Sequence, residues 1–164
     1  MRRKDRAIPD SAESMALLAK ADYCFLATCG GDSVPLITPV NHVVVGGVVY
    51  LHCAWEGHKI DNIRANPKVC VSAVPRARVD PERYTTYYES VVAFGNARIV
   101  TSNEERNHAL RALCARFAPG REFAASCDSS ETERTCVVAV DIDYITGKRN
   151  PDPLDWPERA NCVR

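Results

Sequence analysis

A histidine and a lysine follow a short apolar run near the middle of the chain. His52 and Cys53 end that run, and Gly57, His58 and Lys59 come next, at the predicted start of a helix. The first amide groups of a helix have no partner within it, and the helix dipole is positive at that end. A glycine followed by histidine and lysine at such a start therefore predicts an anion site suited to a phosphate group.

The cysteines lack the spacing of a metal site. Eight cysteines are present, at positions 24, 29, 53, 70, 114, 127, 136 and 162. Zinc ligands normally come in pairs a few residues apart, and no such pair of cysteines or histidines occurs here. Several of these cysteines lie within apolar runs typical of buried strands. We therefore predict reduced, mostly structural thiols and no metal.

Composition favours one domain over residues 1–164, because this length is enough for a single hydrophobic core. Lys plus Arg and Asp plus Glu both total 21, a balance that does not favour nucleic-acid binding. No segment approaches the roughly 20 apolar residues of a membrane helix. The charged residues 1–6 lack the apolar run of a signal peptide. We expect a cytoplasmic protein without a nucleic-acid or membrane partner.

Periodicity and turn residues predict six strands and three helices. The predicted strands are 24–28, 34–45, 48–53, 69–74, 90–100 and 135–145, and the helices begin after Asp10, Gly57 and Ser102. Because most strands are joined by short turns, the pattern indicates a mainly β fold, an antiparallel barrel with peripheral helices. The predicted irregular segments are an N-terminal arm at 1–9, loops at 75–83 and 124–133, and a C-terminal tail at 148–164.

Glycines predict two local features of the strands. Gly46 and Gly47 form a two-residue hairpin signal between apolar runs, and Gly95 inside a strand is typical of a bulge or a close backbone approach.

Two histidines, His42 and His108, belong to no motif. We predict both histidines at the surface or at a strand edge.

Taken in order, these segments resemble the FMN-binding split-barrel family of pyridoxamine 5'-phosphate oxidase-like proteins, and within it the nitroimidazole-resistance, or Nim-type, branch. The matching segments span nearly the whole chain, at residues 1–6, 35–41, 50–53, 56–59, 66–70, 90–95 and 145–148. The resemblance implies a six-stranded antiparallel split β-barrel. It also implies a homodimer with one FMN in each of two clefts at the subunit interface.

The resemblance assigns two strands to the flavin ring, one from each subunit. The residues of the first strand are Thr38, Pro39, Val40 and Asn41. Ser90 and Val92 would be contributed by the partner subunit. A flavin needs a flat apolar slot and backbone groups at the ring edge, and Val40 with its neighbouring backbone could provide both.

The resemblance assigns the remaining cofactor contacts to the segment on which the anion site was predicted. His52 and Cys53 would flank the ring and the ribityl chain, and packing against that chain is favoured for Cys53 over a redox role. The residues assigned to the phosphate are Gly57, His58 and Lys59. Many family members have arginine in place of His58, and a histidine of ordinary pKa is largely neutral at pH 7. Trp55 could cover the flavin or be half-buried at the turn.

The function implied is that of an FMN-dependent oxidoreductase, a Nim-type reductase of a small flat organic acceptor such as a nitroimidazole. His52 would be the catalytic residue at the cleft, in preference to a histidine hydrogen-bonded inside the barrel. No dinucleotide-binding glycine motif is present, so NAD(P)H would visit the same flavin face as the acceptor. Two alternatives stay open: oxidation of pyridoxamine or pyridoxine phosphate, and flavin or haem binding without turnover.

Overall fold

The computed structural model, which describes residues 3–120 and 134–154, is built around one antiparallel sheet. Its strands are β1 (Ala7–Ile8), β2 (Cys24–Cys29), β3 (Pro35–Val40), β4 (Val43–Val45), β5 (Val48–Cys53), β6 (Lys68–Asp80), β7 (Thr85–Ile99) and β8 (Cys136–Asn150). The helices are a 3-10 turn (Lys4–Arg6), α1 (Ser11–Lys20), α2 (His58–Ala65) and α3 (Asn103–Phe117). The strand order is β3-β2-β6-β7-β8-β5-β4, and β1 pairs with β8.

The sheet curls around the main hydrophobic core. Leu26 of β2, Val71 of β6 and Leu51 of β5 are fully buried in one cluster, together with Leu18 of α1 and Ile60 of α2. Strands from both ends of the sheet therefore share one core. This curled, mainly β architecture with peripheral helices confirms the predicted fold class, although the described residues contain eight strands rather than six.

A second, smaller core lies on the outer side of β4, β5 and the beginning of β8, where α3 covers the sheet. Tyr50 and Val137 pack there against Leu110 and Leu113 of the helix. The Tyr50 hydroxyl donates a hydrogen bond to Glu105 at 2.9 Å, which fixes the first turn of α3 on the sheet. His52, two residues further along β5, lies beyond this cover and is exposed.

The predicted strand 34–45 is wrong in one respect, because residues 41 and 42 interrupt it. β3 ends at Val40 on one edge of the sheet and β4 begins at Val43 on the other edge. The Asn41 side chain donates to the Asp22 carbonyl at 3.3 Å, and His42 Nε2 lies 2.8 Å from the Leu18 carbonyl. His42 is 0 % exposed, so its predicted surface position is also wrong.

The predicted loop at 75–83 is largely a strand. β6 continues to Asp80, and β7 begins at Thr85. The pairing of these two strands shifts register at residues 73–76 of β6. Proline has no amide proton to donate, and a bulge is where a sheet can contain it. Pro75 lies within this irregularity, which explains why a proline did not end the strand.

Gly95 marks a second irregularity, as predicted. Phe94 pairs with Tyr144 whereas Gly95 pairs with Ile142, so Asp143 of β8 is the extra residue of a bulge. A Cβ atom on Gly95 would lie 2.1 Å from the Asp141 carbonyl oxygen. Only glycine permits this approach, and the bulge turns Tyr144 to the outer face of the sheet, where it is 56 % exposed.

Both predicted irregular termini are partly ordered. In the N-terminal arm at 1–9, Ile8 of β1 is buried in the main core. The C-terminal tail predicted from residue 148 begins too early, because β8 continues to Asn150. Asp152 is buried and accepts a hydrogen bond from Arg78 at 2.6 Å. Residues 1–2, the predicted loop at 124–133 and the tail from 155 onward lie outside the described residues.

The local signals for helices and the hairpin are confirmed. Asp10 caps α1 and Ser102 caps α3 through side-chain hydrogen bonds to backbone amides. Gly46 and Gly47 join β4 to β5 with φ values of 58° and 85°. His108 is exposed, as predicted. Among the described residues, no helix is both long and apolar enough to cross a membrane.

The buried His42 makes stability depend on pH. A carbonyl oxygen only accepts hydrogen bonds, so Nε2 carries the proton, and Nδ1 has no hydrogen-bond partner among the described residues. Burial lowers the pKa of His42 below its ordinary value of 6.5. The unfolded chain therefore binds a proton here that the folded protein resists, and the free energy of unfolding should fall as pH drops below about 6.5.

Urea denaturation between about pH 5 and pH 7 measures this effect. We expect H42Q, which keeps a donor for the Leu18 carbonyl, to be less stable than the wild type but to lose less stability on acidification. H108Q, which changes an exposed histidine, should retain the pH dependence of the wild type. An H42Q profile parallel to that of the wild type would show that another group titrates.

Candidate functional site

The end of β5 places two predicted site residues on opposite faces of the sheet. Cys53 faces inward, is half-buried and packs against the main core, whereas the preceding His52 faces outward and is exposed. β8 lies alongside, with His52 opposite Val137 and Cys53 opposite Cys136. His52 is therefore accessible to a ligand from solvent. It is not a histidine hydrogen-bonded inside the barrel, which was the alternative.

Trp55 lies between β5 and α2 and is held from both sides. Its ring is half-buried against the main core, and the Arg106 guanidinium of α3 stacks over it at 5.5 Å from the ring centre. Its carbonyl accepts a hydrogen bond from Arg64 of α2 at 3.3 Å. These contacts fix the turn, and they favour the interpretation of Trp55 as a half-buried turn residue.

The start of α2 has the features of an anion site. Gly57 is its N-cap, with a φ of 119° and no side-chain cap, and its carbonyl accepts from Ile60 and Asp61 at 2.8 and 3.1 Å. The amides of His58 and Lys59 precede these bonds and point out of the helix end. Within the described residues Lys59 forms no ion pair. Its ammonium group therefore adds a positive charge to the helix dipole there.

Two asparagines fix α2 over the end of β2. Asn62 is buried and donates to the Thr28 hydroxyl at 3.1 Å, and Asn66 donates to the Cys29 carbonyl at 3.1 Å. A Cβ atom on Gly30 would lie 2.5 Å from the Asn62 side-chain oxygen, so glycine leaves room for the helix. The sequence analysis missed this anchor. The sequence feature that could have indicated it is Asn62, an asparagine between Ile60 and Ile63 on the apolar side of α2.

The strand predicted to line the flavin ring is an edge strand. β3 pairs only with β2 in the described sheet, so its other side presents unpaired backbone groups. Thr38 and Val40 are half-buried on the core side, whereas Pro39 is exposed on the outer face. Asn41 follows β3 and bonds the Asp22 carbonyl, so it stabilises the corner rather than pointing freely into a cleft.

The structure brings some predicted site residues together. Val40, Cys53 and Trp55 all border the same main core. Lys59 follows in the first turn of α2, six residues after Cys53. The end of β5 and the start of α2 therefore lie together at one rim of the barrel, because only four residues separate them.

Ser90 and Val92 do not join this region within one chain. Val92 lies opposite Thr146 of β8, whereas His52 lies opposite Val137. These two positions of β8 are nine residues apart, which corresponds to roughly 30 Å along an extended strand. Within one chain, Ser90 and Val92 therefore lie far from His52 along β8.

Val92 belongs to an exposed apolar surface that the sequence analysis missed. Two neighbouring rows of side chains cross β3, β2, β6, β7 and β8 on the outer face of the sheet. The first row contains Ile37, Cys70, Phe94 and Tyr144, and the second contains Pro39, Phe25, Ser72, Val92 and Thr146. Ile37 is 65 % exposed, and the Phe94 and Tyr144 rings stack at 4.9 Å. We call these two rows the outer apolar face.

The described residues contain no cluster of histidine, cysteine and acidic side chains that could hold a metal ion. Their polar groups around the start of α2 include backbone amides, the Lys59 ammonium group and the exposed imidazoles of His52 and His58. Such groups bind an anion, orient a flat ligand through its polar edge, and exchange a proton with it.

Several solved structures have similar folds. A candidate 5-nitroimidazole antibiotic resistance protein of Bacteroides thetaiotaomicron is 24 % identical with a TM-score of 0.75, over 87 % of this chain and 85 % of that one. The flavocytochrome Anf3 of Azotobacter vinelandii is 20 % identical with a TM-score of 0.77, over 93 % and 73 %. The FAD and haem binding protein of Mycobacterium smegmatis is 21 % identical with a TM-score of 0.76, over 94 % and 77 %.

At these identities the similarity shows the fold, which is a split β-barrel as predicted. No curated protein matches the chain. A family model described as pyridoxamine 5'-phosphate oxidase matches residues 10–149, nearly all of the described structure. The resemblance predicted from the sequence is thereby confirmed, and the chain belongs to the pyridoxamine 5'-phosphate oxidase family.

Proposed function

We propose that this chain is an FMN-dependent oxidoreductase that works as a homodimer and reduces a small flat organic acceptor such as a nitroimidazole. The observation that carries the proposal is the start of α2. There the amides of His58 and Lys59 and the Lys59 ammonium group lie near the end of β5, beside an exposed histidine. Family membership and the flavin-binding names of two similar structures support the choice of a flavin.

The phosphate of FMN fits the start of α2. A phosphate dianion can accept from the amides after Gly57 and pair with Lys59. His58 is exposed and adds a further hydrogen-bond donor at the position where many relatives have arginine. A single helix start of this kind matches the one phosphate group of FMN.

The flavin ring fits between the end of β5 and the free edge of β3. Backbone groups on that edge can bond the polar rim of the ring, and Thr38 and Val40 lie on the strand that provides them. Cys53 faces the same core and can pack beside the ribityl chain. Pre-formed strands hold such a ligand with little loss of side-chain freedom on binding.

A second copy of the chain completes the site. The outer apolar face carries the exposed side chains of Phe25, Ile37, Phe94 and Tyr144, which association would bury. Ser90 and Val92 lie on or beside this face. A twofold dimer through it would bring these residues to the His52 region of the partner, which one chain cannot do.

His52 would act on the acceptor. Bound FMN supplies the electron transfer, with NAD(P)H as the proposed source of reducing equivalents at the same ring face. His52 is exposed at the end of β5 and can donate a hydrogen bond or a proton to an acceptor that lies over the ring. An exposed imidazole could also ligate a haem iron, so haem binding without turnover is the second candidate.

The Lys59 assignment is tested by comparing FMN with riboflavin, which lacks the phosphate. We expect K59A to weaken FMN by about tenfold to hundredfold, because one charge-assisted hydrogen bond is lost, and to leave riboflavin binding unchanged. Flavin fluorescence quenching measures both affinities. K20A, which changes an exposed lysine at the end of α1, is the matched control. Equal losses for FMN and riboflavin would remove the phosphate role of Lys59.

The dimer is tested at Phe94, in the middle of the outer apolar face. We expect F94E to convert a dimer into a monomer, because a charge would be buried at the interface, and to weaken FMN by about tenfold or more. Light scattering during size exclusion gives the mass. F117E changes an equally exposed ring on α3 and should stay dimeric. A monomeric wild type, or an F94E variant of unchanged mass, would contradict the proposal.

The catalytic proposal is tested with flavin-loaded protein under anaerobic conditions. NADH or NADPH should bleach the flavin spectrum, and a 5-nitroimidazole should restore it. We expect H52A to slow the reoxidation by about a hundredfold, as for loss of a positioned acid, whereas H108A should not change it. A protein that binds flavin but is reduced by neither nucleotide would refute the reductase. A haem spectrum in place of a flavin spectrum would support the second candidate.

A further inference from the structure

Two cysteines face each other across β5 and β8 at the rim of the barrel. Cys53 and Cys136 are direct register partners in this antiparallel pair. Directly opposite residues of antiparallel strands have Cα atoms about 4.5–5.5 Å apart, and disulfide bonds join residues whose Cα atoms are about 4.4–6.8 Å apart. The backbone therefore already has the spacing that a disulfide needs.

The two cysteines are register partners but differ in access to solvent. Cys136 is 0 % exposed, whereas Cys53 is half-buried at the end of its strand. Burial, together with the adjacent Cys53 thiol, raises the pKa of Cys136 to about 12. The charges of Arg64 and Lys59 act on Cys136 in the opposite direction. Cys53 is therefore the thiol that solvent reaches first, and Cys136 is the one behind it.

The other described cysteines have no such partner. In the strands, Cys24 lies opposite Val40, Cys29 opposite Pro35, and Cys70 opposite Ala27 and Phe94. All six cysteines of the described residues are free thiols. Among the described strand cysteines, the register thus singles out one pair.

We propose that Cys53 and Cys136 are a redox site that closes reversibly into a cross-strand disulfide by exchange with a low-molecular-weight disulfide. In the first step the Cys53 sulfur attacks the small disulfide, forms a mixed disulfide and releases one small thiol. In the second step Cys136 attacks the Cys53 sulfur of the mixed disulfide and releases the second small thiol. The two protein thiols are oxidised, one disulfide is reduced, and each departing thiolate takes up the proton lost by a cysteine.

The site does not require a flavin. Intracellular disulfides that form on a compatible backbone are typically reversible and redox-sensing rather than structural. The high pKa of Cys136 makes it a poor first nucleophile, which fixes the order of the two steps. The end of β5, next to the proposed phosphate site, thereby gains a second function. Its thiol pair is oxidised or reduced according to the ratio of small disulfide to small thiol in solution.

The test uses the purified full-length protein, equilibrated with glutathione and glutathione disulfide in defined ratios. Remaining thiols are trapped by alkylation, and the protein is digested with trypsin for mass spectrometry. We expect the peptide 135–148, which contains Cys136 as its one cysteine, to become linked to the peptide that contains Cys53. An excess of reduced glutathione should reverse the link.

Single substitutions identify the two partners. C136S should accumulate a glutathione adduct at Cys53, because the first step proceeds and the second cannot. C53S should leave Cys136 unreacted, since it is buried, and C70S should form the link as the wild type does. Circular dichroism confirms that each variant is folded.

Three outcomes would overturn the proposal. They are a wild type that stays reduced in glutathione disulfide, a wild type that retains the glutathione adduct at Cys53, and a link that survives in folded C53S. The experiment needs no bound cofactor, so its failure is distinguishable from a failure to bind FMN.

Discussion

The two-residue connection between the opposite edges of the sheet is the constraint on which the fold depends. Val40 ends β3 at one edge and Val43 begins β4 at the other. Three peptide units span no more than about 11 Å, so the sheet must curl until its edges meet at this corner. The buried His42 fixes the corner to the Leu18 carbonyl of α1. An unpartnered Nδ1 in a dry core makes this corner costly to protonate.

Closure at that corner positions the site. It brings β2 and β3, from one end of the sheet, against β5, from the other, around one core that α2 completes through Ile60. The sheet stays open away from the corner, because β3 and β4 are not paired with each other. His52, exposed at the end of β5, lies close in the chain to the start of α2, while β3 keeps one unpaired edge. An edge strand, which proteins usually protect, becomes the part of the fold that can bind a polar ring.

The sequence predicted what is encoded locally and missed what depends on pairing. The caps at Asp10 and Ser102, the Gly46–Gly47 turn and the lysine at the start of α2 are read within a few residues, and the family resemblance was confirmed. The loop assigned to Pro75 was wrong because a bulge accommodates the proline, which only the register with β7 reveals. The burial of His42 and the pairing of Cys53 with Cys136 likewise depend on partners distant in sequence.

The bulge of β8 shapes the outer face of the sheet. The bulge at Gly95 turns Tyr144 outward to stack on Phe94, and the outer row that contains both rings runs to Ile37 on the edge strand. The same sheet that buries its inner face around the core thus leaves an apolar outer face uncovered. Ser90 and Val92 also lie on the outer side of the sheet. Their partners on β8 are far along that strand from the partner of His52. One chain therefore has the phosphate end of the proposed site, and its outer face has the surface through which a second copy would supply the rest.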